Sequence, residues 1–333
     1  MIGMLTIRQN LLETIRGGDP DRFVNQYEYM KLVSNPVSRG RSGTCPKGGT
    51  MVNDWGVTYS WPEHVVAPFP VHTPDKLVVK DISKWRETII APDPHSFSEE
   101  EWARYVDDMA AVDRKEYFAT AMAAPGIFER LHYLMGMTDC LANFHEEPEF
   151  IREMIDYIAD WEIELAKEIV AHQHPDALFH HDDWGTQTRS FLAPETFAEF
   201  LVPAYQRVYG FWKQNGVQVI VHHSDSYAAN LVPYMIEMGI DVYQGAVSEN
   251  NIPELIRKYG GKISFHGGID NGKFDKEDWS HEALRSTLRE LVEKSGKHYL
   301  IPGFTMGGPG TTYPGIYDTL TEEIQALSKE FFK

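Results

Sequence analysis

The chain has 333 residues, 42% of them apolar and 24% charged, with a formal net charge of −18. That length buries a sizeable core, and that composition belongs to a globular protein rather than a disordered or fibrous one. The acidic balance argues against nucleic acid or an anionic membrane as partner, since both favour a basic face, and Cys45 and Cys140 are too few for a disulfide scaffold or a thiolate zinc site. No window approaches the apolar length of a membrane span, and the opening Met1–Arg8 lacks the pattern of a secretory signal, so a cytoplasmic location is expected.

In chain order, residues 6–17 predict an amphipathic helix with Thr6 as N-cap and Gly17-Gly18 as its stop. A short strand is expected near Phe23–Met30, with Glu28 in it or at its end. The Gly-, Ser-, Pro- and Arg-rich stretch 36–50 reads as a loop long enough to be a lid or a partner surface. Residues 53–62 alternate like a hairpin strand, 98–115 predict a helix opened by Ser98, and 117–122 a strand. Helices follow at 126–137, which carries Glu129 and Arg130, and at 147–172.

From residue 177 the rhythm is regular. Strands at 177–181, 217–222, 241–244, 262–266 and 298–301 alternate with helices at 194–214, 227–238, 252–258, 277–295 and from about 319. Such alternation means βαβ units and a parallel sheet. With the two earlier strands the tally approaches eight, and no Gly-rich dinucleotide loop follows the first strand. The expected fold is therefore α/β, a (β/α)8 TIM barrel forming one domain over residues 1–333, with an N-terminal extension and loops over its C-terminal mouth.

Three strands end in histidines and carboxylates: His180-His181-Asp182-Asp183, His222-His223-Ser224-Asp225, and His266-Gly267-Gly268-Ile269-Asp270. Barrel enzymes carry their catalytic groups at such ends. Neighbours on a strand point to opposite faces, so one histidine of each doublet should face the site, without the sequence saying which. Gln244 would cap the strand between the second and third, and Gly267-Gly268 would let backbone approach a ligand. The catalytic candidates are His181, Asp183, His223 and Asp225, with Asp182 as the alternative to Asp183 for orienting a histidine. Glu28, Trp55, Tyr59, Phe128, Trp184, Gln244, His266 and Asp270 are the substrate-binding candidates. Imidazole and carboxylate suit a borderline divalent ion such as zinc, for which His222, His223 and Asp225 are the proposed ligands; without metal, the same groups form an acid–base pair.

Five stretches give the chain a family likeness: Asn53–Thr58, His181–Gln187, Ala193–Phe197, Gly216–Ser226 and Phe265–Asp270. On them it resembles the uroporphyrinogen decarboxylase superfamily over nearly its whole length, which implies the barrel already expected. True decarboxylases of that superfamily carry an Arg-Gln-Ala-Gly-Arg segment that gathers the substrate's carboxylates. Here Arg8-Gln9-Asn10 lacks the second arginine, and Arg130 and Arg189 are few for such a substrate. A second branch comprises methyltransferases that work with a corrinoid protein. Its thiol-methylating members hold zinc with His-x-Cys and a later Cys. The corresponding places here read His222-His223-Ser224-Asp225 and Ile301–Met306, without cysteine.

The resemblance and the missing thiolates together imply removal of a methyl group from oxygen or nitrogen, since imidazole and carboxylate suit that chemistry. The expected activity is transfer of a methyl group from a small O-methyl compound, a methoxyaromatic for example, to a corrinoid (cobalamin) carried by a partner protein. The partner would dock over the barrel mouth against the 36–75 region. Two further readings are a decarboxylase of the uroporphyrinogen type and a non-catalytic barrel that binds a corrinoid or small molecule. The sequence leaves a homodimer open.

Overall fold

The computed structural model describes residues 4–65 and 67–333, so residues 1–3 of the opening segment read for a signal lie outside it. Seven strands build the main sheet: β1 (Met30–Val33), β5 (Phe118–Ala123), β6 (Ala177–His181), β7 (Val219–His223), β8 (Val242–Ala246), β9 (Ser264–Ile269) and β10 (Leu300–Phe304). They pair in that order, each parallel to the next. Helices between them make the fold a curled α/β half-barrel of mostly parallel strands. Short strands β2 (Thr50–Val52), β3 (Thr58–Ser60) and β4 (Phe69–Pro70) form a separate antiparallel sheet. No helix among the described residues is long and apolar enough to cross a membrane.

All seven strands located in the sequence for the main sheet are present, but the first starts late. Residues 25–29 run as a turn before β1, and Glu28 lies in that turn rather than in the strand. The turn bridges the two edge strands: Gln26 N–H donates to Pro302 O of β10 (3.3 Å), and Tyr29 O accepts from Phe118 N–H of β5 (2.9 Å). Seven ladder strands and a bridging turn therefore stand where eight strands were expected.

The strands are apolar on both faces because both faces are covered. Phe118, Phe179, Val221, Val242 and Ile301 form an inner cluster, joined by Leu11 from the helix Ile7–Arg16. Leu178, Ile220, Tyr243, Phe265 and Leu300 join the outer cluster against the surrounding helices. This parity fixes which face every strand-end side chain takes.

Helix ends follow local chemistry. Thr6 and Ser98 each cap a helix and close a capping box, with Gln9 and Glu101. The helix expected over 194–214 is two helices, Pro194–Phe200 and Val202–Gln214. Pro203 has no N–H to give to the Glu199 carbonyl, which accepts from Arg152 instead (3.3 Å).

Candidate functional site

The inward face of the sheet settles the histidine doublets. His181 and His223 point inward, stacked with ring centroids 4.4 Å apart. His180 and His222 point outward into the helix layer. His180 Nε2 lies 3.0 Å from Glu162, and His222 Nδ1 lies 2.7 Å from the Tyr209 hydroxyl, with Trp184 stacked at 3.8 Å. The metal set His222, His223 and Asp225 is thereby corrected: His222 is fully buried on the opposite face of β7 and cannot share an ion with His223. The group brought together is His181, Asp183 and His223, whose ligand atoms lie within 4.8 Å of one another.

Each inward imidazole is held by its other nitrogen. Gln244 Nε2 donates to Tyr27 Oη (2.8 Å) and to Thr305 O (2.9 Å), which leaves Gln244 Oε1 facing His223 Nδ1 as an acceptor. His223 therefore carries its proton on Nδ1 and offers a lone pair at Nε2, 4.0 Å from Asp183 Oδ1. Burial, and then the neighbouring His181, push the His223 pKa down to about 4. His181 Nδ1 lies 2.7 Å from Glu129 Oε2, and Glu129 Oε1 accepts from the Tyr133 hydroxyl (3.0 Å). Burial opposes charge on His181, but the Glu129 carboxylate outweighs it and lifts the pKa to about 9. One imidazole is thus cationic near neutral pH and its neighbour neutral.

Glu129 is the site residue that sequence reasoning passed over. It sits in the first turn of the helix Ile127–Met135, just after the C-terminal end of β5, so the strand-end rule applied to β5 would have found it. Asp182 anchors that turn instead of orienting a histidine. Its carboxylate accepts from Phe128 N–H (3.0 Å), Glu129 N–H (2.7 Å), the Trp184 indole (2.8 Å) and the Tyr205 hydroxyl. Gly126 lets the turn approach so closely: a Cβ there would lie 2.5 Å from Asp182 Cβ and 2.6 Å from His180 Cε1. We expect Gly126→Ala to cost about 1–3 kcal/mol in urea unfolding, as an overpacked core does. A change within 0.5 kcal/mol would contradict this packing argument.

Asp225 lies beside the trio, its backbone N–H donating to Asp183 Oδ1 (2.7 Å). Burial, with Thr305 opposing and the Asp183 and Asp270 carboxylates adding, pushes its carboxyl up to about 6. A cavity of about 750 Å³ opens above the two histidines, lined by Tyr27, Glu28, Phe179, Met306 and Tyr317 among others. Glu28 thus borders the cavity, and its carboxylate accepts from Asn25 N–H (2.8 Å).

Other expected substrate contacts lie elsewhere. Phe128 and Trp184 are buried in the helix layer. Asp270 is fixed by the Ser248 N–H (2.8 Å), the Ser248 hydroxyl (2.6 Å) and Lys273 (2.9 Å). His266 is fully buried, its Nδ1 3.2 Å from the Tyr29 hydroxyl. Gly267 serves strand packing rather than ligand approach, since a Cβ there would lie 2.6 Å from Ala246 O. Trp55 and Tyr59 line a second cavity of about 240 Å³ beneath residues 38–45.

A curled parallel sheet with its polar groups at the C-terminal strand ends is the architecture of a barrel-type enzyme. The chain belongs to the uroporphyrinogen decarboxylase (URO-D) family, whose model matches residues 77–325. The likeness read from the sequence therefore holds at family level, although the Asn53–Thr58 stretch falls outside the matched range. No curated protein matches the chain. Among solved structures, a methyltransferase from Methanosarcina mazei superposes with a TM-score of 0.66 at 13% identity, covering 99% of this chain and 100% of that one. More remote are a dihydropteroate synthase from Clostridium difficile (TM-score 0.34, 14% identity, 52% of this chain and 63% of that one) and a 3-keto-D-glucoside 4-epimerase from E. coli (0.35, 10%, 68% and 85%).

Proposed function

We propose that this protein is a methyltransferase that takes a methyl group from the oxygen of a small substrate and passes it to a corrinoid carried by a partner protein. The observation that carries the reading is the inward pair: a cationic His181 beside a neutral His223, with Asp183, on the floor of a largely apolar cavity. An alkoxide or phenolate leaves poorly, so the oxygen needs an electrophile as its bond to carbon breaks. Glu129 holds a proton on His181 Nδ1, which leaves the charged ring's Nε2–H as the donor to that oxygen. Gln244 keeps His223 neutral and in a single tautomer beside it. Tyr27, Phe179 and Tyr317 give the substrate apolar walls and keep water away from the breaking bond.

The donor set also fits a divalent ion of the zinc type: two imidazole Nε2 atoms with their Nδ1 atoms already engaged, and one carboxylate. Held by His181, Asp183 and His223, such an ion would supply a Lewis acid at the leaving oxygen. The corrinoid would supply the low-valent cobalt that accepts the methyl group. The corrinoid would be presented at the cavity's rim, where Leu32 (47% exposed) and Met306 (38%) leave apolar surface uncovered. Lys31 is the one Lys or Arg lining that cavity among the described residues, which disfavours an octacarboxylate such as the family's porphyrinogen substrate.

The test mixes the protein with a reduced corrinoid protein and a panel of methoxylated compounds, and follows the corrinoid's absorbance. We expect methylation with at least one donor; metal analysis then decides between the two electrophiles, since about one equivalent of a zinc-type metal that His223→Ala loses would put the ion in place of the His181 proton. Silence across the panel would overturn the methyltransferase reading. Full activity after chelation would leave the His181 proton as the electrophile.

A further inference from the structure

We propose that the cavity beneath residues 38–45 binds a small aromatic carboxylate, with Arg130 as its anchor. This goes beyond the methyl-transfer reading and stands without it.

Arg130 is only 5% exposed. Its guanidinium carbon lies 4.3 Å from the Trp55 ring centroid and 4.7 Å from that of Trp161. The two rings stand edge to face with centroids 4.9 Å apart, so both pack on one side of the cation and neither offers an acceptor for its in-plane N–H groups. Nη2 donates to Pro125 O (2.9 Å), while Nε is buried with no partner among the described residues. No carboxylate among those residues comes within ion-pair distance, although exposed Arg207 and half-buried Arg289 both find carboxylate partners. Glu162, whose charge acts on Arg130, accepts from His180 Nε2 (3.0 Å) instead. A buried guanidinium with no carboxylate in direct contact is costly, and a carboxylate is the planar acceptor that matches its fork.

The surroundings select the rest of the ligand. Trp55, Tyr59, Pro68, Pro92 and Trp161 line the cavity with flat apolar surface. Its volume, about 240 Å³, falls below the roughly 300–1,000 Å³ typical of drug-sized ligands and suits a single ring. Arg39, exposed at the same cavity, adds a second cation with no carboxylate partner among the described residues. Asp54 also lines it, but its oxygens already accept from Arg41 N–H (2.7 Å), Ser42 N–H (3.0 Å) and the Ser42 hydroxyl. In a chain of net charge −18, this is a local place for an anion.

Calorimetric titration of the full chain with benzoate, and separately with methyl benzoate, tests the site without any corrinoid or methyl donor. Its failure is therefore distinguishable from failure of the methyltransferase reading. Benzoate should bind saturably and at least tenfold more tightly than the ester. Arg130→Gln should lose at least tenfold in benzoate affinity, and Arg39→Gln, at an exposed position, should weaken it severalfold. Equal binding of acid and ester, no binding of benzoate, or full affinity in a folded Arg130→Gln would each overturn the proposal. If Arg130→Gln does not fold, the acid–ester comparison and Arg39→Gln decide it.

Discussion

His181→Asn is expected to lower methyl transfer to a corrinoid partner by about 10²–10⁴-fold, the range that a positioned proton donor contributes. The substitution removes the nitrogen that faces the substrate, whether that nitrogen holds a proton or a metal ion. Its cost to the fold is confined to the His181–Glu129 pair, where the asparagine amide can still donate to the buried carboxylate, and the His181 side chain is itself 30% exposed. Single-turnover absorbance of the corrinoid, alongside thermal unfolding of the same sample, separates the two effects. A variant with transfer within twofold of the parent would remove His181 from the mechanism. One that loses activity only in step with lost folded protein would reassign it to structure.

Asp182→Ala is the complementary case, with its effect on stability. The carboxylate satisfies two backbone N–H groups at the start of the helix Ile127–Met135, an indole and a phenol, all buried. Alanine leaves those four donors without an acceptor. Each buried donor left without an acceptor costs about 1–3 kcal/mol, because it stays desolvated, so losing the acceptor of four should cost at least about 3 kcal/mol. Urea unfolding should show a loss of that order, and asparagine, which keeps one acceptor oxygen, should lose less. A loss below 1 kcal/mol would falsify the anchoring role. Transfer should fall as well, since Glu129 stands on the anchored turn and sets the His181 proton.

Much of this arrangement could be read from the sequence, and the rest has physical reasons for being hidden. The seven strands of the main sheet announced themselves as apolar runs ending in polar clusters, since burial on both faces leaves little choice of residue. The first strand was drawn too early because Phe23–Tyr29 has strand composition, yet it runs as a bridge between edges. His181, Asp183 and His223 follow from the strand-end rule. Strand parity, which excludes His222 from any ion that His223 binds, needs the register against neighbouring strands. Glu129 stayed hidden because it stands in a helix's first turn, where an acidic residue usually needs no explanation beyond the helix dipole. Trp184 and Phe128 drew attention as aromatic residues near strand ends, but aromatic residues are more often core, and here they are.

The doublets His180-His181 and His222-His223 have one more consequence. Identical letters stand side by side, and only their parity separates a residue that faces the cavity from one that bolts a strand to its helices. Sliding a relative's sequence by a single position across either doublet still matches histidine to histidine while exchanging those meanings. Relatives that keep only one histidine there are therefore interpretable only once their partners are traced to an element: the inward histidines are held by Gln244 of β8 and by Glu129 just past β5, the outward ones by Glu162 and Tyr209 of the helix layer.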